Sequence, residues 1–527
     1  MNVLLISTQK DLDVIGLKYL HYYLLKNNYS SFLLNLPDFN CNNLDMLRNI
    51  SKFILEIKPM FIGISLMSTE YFNARELSIY LKNNFKLTPI IWGGIHPTIC
   101  PEMCLDYADY VCVGEGERFI LEFAKRAGNN ENLKNINNLC YIENGQVKKN
   151  ILYPLIENLD AIPSYDHIPV NSFIQTKNGR IAPINKKVFK KYARYNGTTY
   201  SIISSRGCPF SCTYCCNNFI SNLYQIKKVR RRSVKNVIIE LQKAVNDYPE
   251  IECINFQDDC FLACNDEYLK EFCKFYKEKI KKPFVIRAIP IYVTKNKMEY
   301  LKNAGLAWLS LGLQSGSDRV CKEIYKRKSL KADFLKAAGI IKDFNIAAFY
   351  DVILDNPFEN EEDKLATIQT LIETPKPFYP QIFSLNLYLG TEMYEKAKKE
   401  CPEKIENSLK KDYLVYNKTT INNMIRLSMF LNGSFMNRII YLYKQDKKGI
   451  GFKCILIIAN LLSLVVFEPL IYFRVIKLSQ GGRYMRTLVV MPNYFKQGFM
   501  RYFNQFRANR SLTAKVRVRR SILKFIR

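Results

Sequence analysis

Four cysteines fall within nine positions of the stretch SRGCPFSCTYCCN, residues 205–217. Cys208, Cys212 and Cys215 are spaced C-x3-C-x2-C and follow a short apolar run, TTYSIISS. Three thiolates on one loop can hold three irons of a cubane cluster and leave the fourth iron open. An open coordination position is what a catalytic metal site keeps and a structural one lacks. Gly207 and Pro209 give the loop a tight, irregular path. Two other readings stand beside this one. A zinc site would want a fourth Cys or His close by, and Cys216, adjacent to Cys215, is poorly placed to close a tetrahedron and reads as a packing thiol. The cysteines could also be core thiols of a chain that has 16 of them. No basic start or long apolar run opens the sequence as a secretory signal would, so the thiols are expected to be reduced and the protein cytoplasmic.

The elements that must position such a loop follow from the apolar pattern. A chain of 527 residues is long enough for two or three domains, and 48% apolar with 24% charged residues is globular composition. In the first 125 residues the runs NVLLIS, SSFLLNL, MFIGISL, PIIWGG and DYVCVG read as buried strands. Segments with three- and four-residue apolar spacing lie between them, such as GLKYLHYYLLKN. That alternation predicts a doubly wound, Rossmann-like parallel sheet over residues 1–130, with ligands at the carboxyl ends of its strands. Residues 131–195 are punctuated by proline and read as a linker. From 196 to 400 a second rhythm of six strand–helix units predicts a partial (β/α)6, TIM-like barrel whose chemistry sits at the strand C-termini. The cysteine loop leaves the first of those strands. Residues 401–527 form a basic, mostly helical C-terminal region.

On these residues the chain resembles the radical S-adenosylmethionine (radical SAM) enzymes, whose signature is similar to GCPFSCTYC and whose fold is a partial barrel. The resemblance covers roughly residues 195–400. It implies that Cys208, Cys212 and Cys215 ligate a 4Fe-4S cluster, and that S-adenosylmethionine chelates the open iron. Reductive cleavage then yields methionine and a 5′-deoxyadenosyl radical. It further places Tyr214 against the adenine and gives Asp258, in FQDD at the end of the second strand, the ammonium group. Arg287 at the end of the third strand takes the methionyl carboxylate. GLQSGS resembles a GxESGS motif, so Gln314 and Ser315 are expected at the ribose, although Gln314 stands where a Glu is usual and carries no charge.

The first domain resembles the cobalamin-binding domain that precedes the barrel in one large subgroup. The features that carry the likeness are WGGIHPTICPE, with Gly93, Gly94 and His96, and VGEGE, with Gly114 and Gly116. Glycine lets a backbone approach a large planar ligand. No Asp-x-His-x-x-Gly occurs, so no histidine is supplied as lower cobalt ligand in the usual motif. His96 reads as structuring its loop, and histidine-free binding is usual in the subgroup.

Together the two domains imply cobalamin-dependent C-methylation of an unactivated carbon. The alternative is a radical rearrangement, cyclisation or oxidation without methyl transfer. A membrane-bound binding protein with a vestigial cluster would leave the intact cysteine loop unexplained. A reductase, flavodoxin or ferredoxin is implied as electron donor, acting for an unidentified small-molecule or lipid substrate. The formal charge of +29 is concentrated late: residues 402–527 hold 24 Lys and Arg against 5 Asp and Glu. CILIIANLLSLVVF, residues 454–467, is uncharged and is expected to end at Glu468-Pro469, too short to cross a bilayer of about 20 residues' span. The tail RANRSLTAKVRVRRSILKFIR interleaves cations with apolar residues. The region suits peripheral contact with an anionic membrane face, or a helical lid on the barrel. No specific nucleic-acid recognition motif accompanies the charge.

Overall fold

The structure, a computed structural model, describes residues 1–479 apart from 407, 410, 447 and 448. The tail from 480 onward, including the basic run read above, lies outside the described residues.

The strand-like runs at the start form β1 (Asn2–Ser7), β2 (Ser30–Asn35), β3 (Phe61–Ser65), β4 (Ile90–Gly93) and β5 (Tyr110–Cys112). They are parallel neighbours in the order β5-β4-β3-β1-β2, with helices between them. Strands buried on both faces need continuous apolar sequence, which is why NVLLIS shows no polar alternation. The order reverses at β1, which opens a crevice between the carboxyl ends of β1 and β3. The residues read as a linker do more than connect. β6 (Leu139–Glu143) and β7 (Gln146–Lys149) extend the β5 edge antiparallel, and β8 (Ser172–Gln175) and β9 (Ile181–Pro183) extend the β2 edge, giving nine strands. Short strands broken by Asn-Gly and Pro turns carry too little apolar sequence to announce themselves.

The second unit holds β10 (Thr199–Ile202), the two-residue ribbon of β11 (Ser205–Arg206) and β12 (Arg230–Arg231), β13 (Cys253–Phe256), β14 (Phe284–Ala288), β15 (Leu306–Gln314), β16 (Ala347–Leu354) and β17 (Tyr379–Ser384). β10 and β13–β17 make a six-stranded parallel sheet in chain order, the expected partial barrel. Alternation sorts its side chains. Ile254, Phe256, Ile286, Leu309, Leu311, Tyr350 and Val352 join the apolar core under the surrounding helices. Their neighbours Asn255, Arg287, Ser310 and Asp351 point the other way, into the barrel.

After the barrel come helices Thr420–Phe430 and Gly433–Asp446, then a helical stretch of 29 residues, Ile450–Leu478. The expected break at Glu468-Pro469 does not occur. A π-turn at Ser463–Phe467 immediately precedes Pro469 and absorbs the backbone bond that proline cannot make. The helix that carries the apolar run is therefore about twice as long as that run, and its most apolar window is mostly exposed, 22% of it being buried.

Phe256 is fully buried and packs on Phe261, Phe272 and Phe284, with ring centroids 4.9–5.9 Å away. Phe256→Ala is expected to cost about 3–5 kcal/mol, read as a fall in the urea midpoint. A loss under about 1 kcal/mol would mean that the β13 core collapses around the cavity.

Candidate active site

The cysteine loop is held at three points. Gly207 has φ +97°, and a Cβ there would meet the Lys228 carbonyl oxygen at 2.6 Å, so the loop leaves β11 by a path open to glycine. The Thr213 hydroxyl donates to the Ile324 carbonyl (2.7 Å) and its amide to the Tyr325 carbonyl (3.1 Å), which ties the loop to the turn beyond β15. Beneath it, buried Asp258 accepts from the Ser204 hydroxyl (2.8 Å), the Ser204 amide (3.3 Å) and the Ser205 hydroxyl. Burial pushes the Asp258 carboxyl up, against the pull of those hydrogen bonds. Both Asp258 oxygens are thus engaged by the segment that launches the loop, and the carboxyl is buried beneath it. Its neighbour Asp259 is exposed and lies in the electrostatic field of Cys208 and Cys215.

The three thiols are half-buried. Burial pushes Cys208 up to about 12 and raises Cys212, so metal binding here must displace protons. Among the described residues no three His, Cys, Asp or Glu side chains converge on one ion. Three thiolates on one loop suit a cubane, in which each binds a different iron. The Cys216 thiol is hydrogen-bonded to that of Cys215.

Around the loop the barrel mouth carries more polar chemistry than the motifs indicated. Tyr214 packs edge-on against Tyr325 (4.8 Å), and its hydroxyl accepts from Arg327 (3.3 Å). Arg327 is buried, donates to the Gly312 carbonyl (2.5 Å), and sits close enough to Cys212 to lower that thiol's pKa. Its Nε has no protein partner. Gln314 adopts φ +67° at the end of β15, with its side-chain oxygen buried and unpartnered. Ser315 is occupied within the protein: it hydrogen-bonds Glu359, lies 3.4 Å from the Thr367 hydroxyl and accepts from the Ser317 amide. Inside the barrel Arg287 donates to Gln257 (2.5 Å), and Ser310 donates to Asp351 (3.0 Å). Burial pushes Asp351 up to about 6, with Ser310 and the Arg287 charge pulling it back. Arg327, Asp351 and Glu359 are not singled out by the sequence, and Asp259 only as the second carboxylate of FQDD. Arg327 and Glu359 lie in loops without a repeating pattern, and Asp351 looks like one polar position in an ordinary strand.

In the first domain Gly93 and Gly94 end β4 at the strand C-termini, Gly94 with φ +99°. His96 is buried against Tyr71, accepts or donates to Ser68 at 3.0 Å, and is pushed down to about 4 by burial, so it is a neutral core histidine. Gly114 makes room for the Tyr224 hydroxyl, and a Cβ on Gly116 would meet Leu20. At the crevice between β1 and β3, the buried Thr8 hydroxyl has no protein partner and Met67 is exposed. An orphaned hydroxyl and an exposed thioether at a strand switch point fit a large, partly apolar cofactor such as cobalamin.

The carboxyl ends of the two sheets face each other. Glu115, between the two glycines, accepts from Arg206 Nη1 (3.1 Å), two residues before Cys208, and from Arg230 Nη2 (2.6 Å). Arg206 also pairs with Glu117. Burial would push Glu115 up, but Arg230 and Arg206 hold it below its ordinary value. Farther round, Gly390 beyond β17 abuts Ile99 of the first domain.

Two outcomes follow from this geometry. Glu115→Gln removes the counter-charge of Arg230 and one of the two that Arg206 holds, and is expected to cost about 3 kcal/mol in urea unfolding; an unchanged midpoint would show that the latch bears no load. Burial pushes Glu359 up to about 7 from 4.5, so its stabilising share is complete below pH 4.5 and lost as pH rises through 7. Glu359→Gln is therefore expected to gain stability relative to wild type between about pH 5 and 8. A difference flat in pH would show that the carboxyl is solvated.

Comparison with known proteins gives two family matches: the radical SAM superfamily over residues 202–371 and the B12 binding domain over residues 1–124. An uncharacterised methyltransferase of Pyrococcus horikoshii is 27% identical over 72% of this chain and 77% of its own length. The anaerobic magnesium-protoporphyrin IX monomethyl ester cyclase of Cereibacter sphaeroides is 23% identical over 58% of this chain, which spans 48% of that protein. Among solved structures, the cobalamin-dependent S-adenosylmethionine radical enzyme OxsB, with aqua-cobalamin and S-adenosylmethionine bound, superposes with a TM-score of 0.62 at 17% identity. That superposition covers 95% of this chain and 80% of OxsB.

Proposed function

We propose that this chain, which belongs to the radical SAM enzymes carrying a cobalamin-binding domain, methylates an unactivated carbon of a small-molecule or lipid substrate. The observation that supports the reading best is the Glu115–Arg206–Arg230 latch, which sets the cysteine loop opposite the carboxyl ends of the first sheet. When bound, a 4Fe-4S cluster supplies the electron that cleaves S-adenosylmethionine to a 5′-deoxyadenosyl radical, and cobalamin serves as the methyl carrier. Cys208, Cys212 and Cys215 are assigned as the iron ligands. Arg327 places positive charge beside Cys212 and holds Tyr214 in position for the adenine. Asp259, not Asp258, is free to accept from the S-adenosylmethionine ammonium. Arg287 offers its guanidinium to the methionyl carboxylate, a charge-assisted pairing that Gln257 orients. Gln314, with an unpaired amide oxygen, is assigned to a ribose hydroxyl, while Ser315 supports the Glu359 turn. Thr8, Gly93 and Gly94 would border the cobalamin.

A second reading, radical cyclisation, rearrangement or oxidation without methyl transfer, is favoured by the likeness to the anaerobic cyclases. On either reading the enzyme works in the cytoplasm with a reductase, flavodoxin or ferredoxin as donor, and meets a membrane peripherally through its C-terminal region.

Protein prepared anaerobically with cobalamin is expected to hold about four irons and one cobalamin. Cys208→Ala should lose the iron and all cleavage of S-adenosylmethionine. Methylation consumes a second S-adenosylmethionine, so turnover should release S-adenosylhomocysteine together with 5′-deoxyadenosine. 5′-Deoxyadenosine alone would replace methylation with the second reading.

A further inference from the structure

The helical stretch Ile450–Leu478 is apolar on both of its sides. One stripe, Phe452, Leu456, Ala459, Ile471 and Val475, is buried in the core shared with the barrel and its neighbouring helices. The opposite side leaves Ile457, Ile458, Leu461, Val465, Leu470 and Phe473 between 49% and 74% exposed. A helix that is apolar all round is either enclosed or in contact with lipid, and among the described residues nothing encloses this side.

Length alone would let 29 residues cross a bilayer. The attachments rule against crossing. Arg426, in the helix Thr420–Phe430, donates to Asn460 (3.2 Å) and pairs with Glu468 (2.7 Å), which holds the long helix near its middle. Tyr472 packs edge-on against Tyr379 at the start of β17, 5.1 Å between rings. A helix fastened along its side to a water-soluble barrel lies along that body, so its outer face can enter an interface but its ends cannot reach opposite waters.

The charge around the face says what covers it. Lys453, Arg474 and Lys477 are exposed at its two ends. Residues 480–527, which follow directly, contain 12 Lys and Arg and no Asp or Glu. A second copy of the chain docking isologously would bring Lys453, Arg474 and Lys477 against the same cations of its partner, whereas anionic headgroups neutralise them while acyl chains take the isoleucines and leucines.

We propose that the outer face of Ile450–Leu478 is an interfacial anchor that beds in the surface of an anionic bilayer, parallel to the membrane plane. This names the partner for the peripheral contact in the reading above, and it stands independently of the methylation chemistry, which the product assay tests by itself.

The test is flotation of the full-length holoenzyme with phosphatidylcholine vesicles, with and without phosphatidylglycerol. Wild type is expected to float with the anionic vesicles and to fall about tenfold with neutral ones. An Ile458→Glu, Leu461→Glu, Val465→Glu triple variant should lose flotation about tenfold at unchanged iron content. Arg474→Glu with Lys477→Glu, at exposed positions outside the buried stripe, should weaken it in a salt-dependent way. Wild type that stays with the protein fraction would overturn the proposal. So would a triple variant that still floats, since the basic tail alone would then account for binding. A wild-type dimer that the triple variant converts to monomer would overturn it as well, in favour of a second copy on this face.

Discussion

A half-buried carboxylate between two guanidinium groups sets the relation between the two halves of this protein. Glu115 leaves the first sheet in a loop flanked by glycines and meets Arg206 and Arg230, which flank the cysteine loop on the two strands of its short ribbon. Each group is largely out of water, so each depends on the others for its charge. Gly114 admits the Tyr224 hydroxyl that steadies the same loop, donating no strain and receiving the Glu115 amide at 3.1 Å. Gly114, one of the glycines that looked like room for a cofactor, is thus room for the second domain, while Gly93 and Gly94 stay at the strand ends beside the β1–β3 crevice.

The barrel adds a second layer of preorganisation. Its lumen pairs Arg287 with Gln257 and Asp351 with Ser310, while Arg327 stands buried beside Cys212 with one nitrogen unused. Pairs of this kind, each a chargeable group held by a neutral polar partner, orient a polar site before any ligand arrives. They also leave positive charge near thiols whose ordinary pKa has been driven upward by burial. The energetic gradient favours a ligand that brings metal cations to the sulfurs and an anion to the guanidinium.

Much of this was legible in the residues. The five strands of the first sheet and the six of the barrel were readable because parallel strands buried on both faces require unbroken apolar runs. The cysteine spacing carried its own chemistry. The four edge strands between residues 139 and 183 were not readable, being short and half exposed. Asp258 and Asp259 show the limit at a single position: adjacent carboxylates look alike in sequence, and only the backbone decides that the first is buried against Ser204 and Ser205 while the second is exposed within the field of Cys208. The continuation of the last helix through Pro469 depended on a π-turn that no local pattern announces.

The latch has a consequence for how such a protein can be built or rebuilt. Because Arg206 and Arg230 belong to the barrel and Glu115 and Glu117 to the preceding sheet, neither half is an interchangeable module. A barrel grafted onto a foreign partner would present unbalanced cations at the very loop that must stay ordered, and a liberated first sheet would expose two acids and a glycine notch shaped for a missing tyrosine. Recombination between enzymes of this architecture is therefore constrained to exchange the two halves together, or to cut elsewhere, such as beyond the barrel where the terminal helices begin.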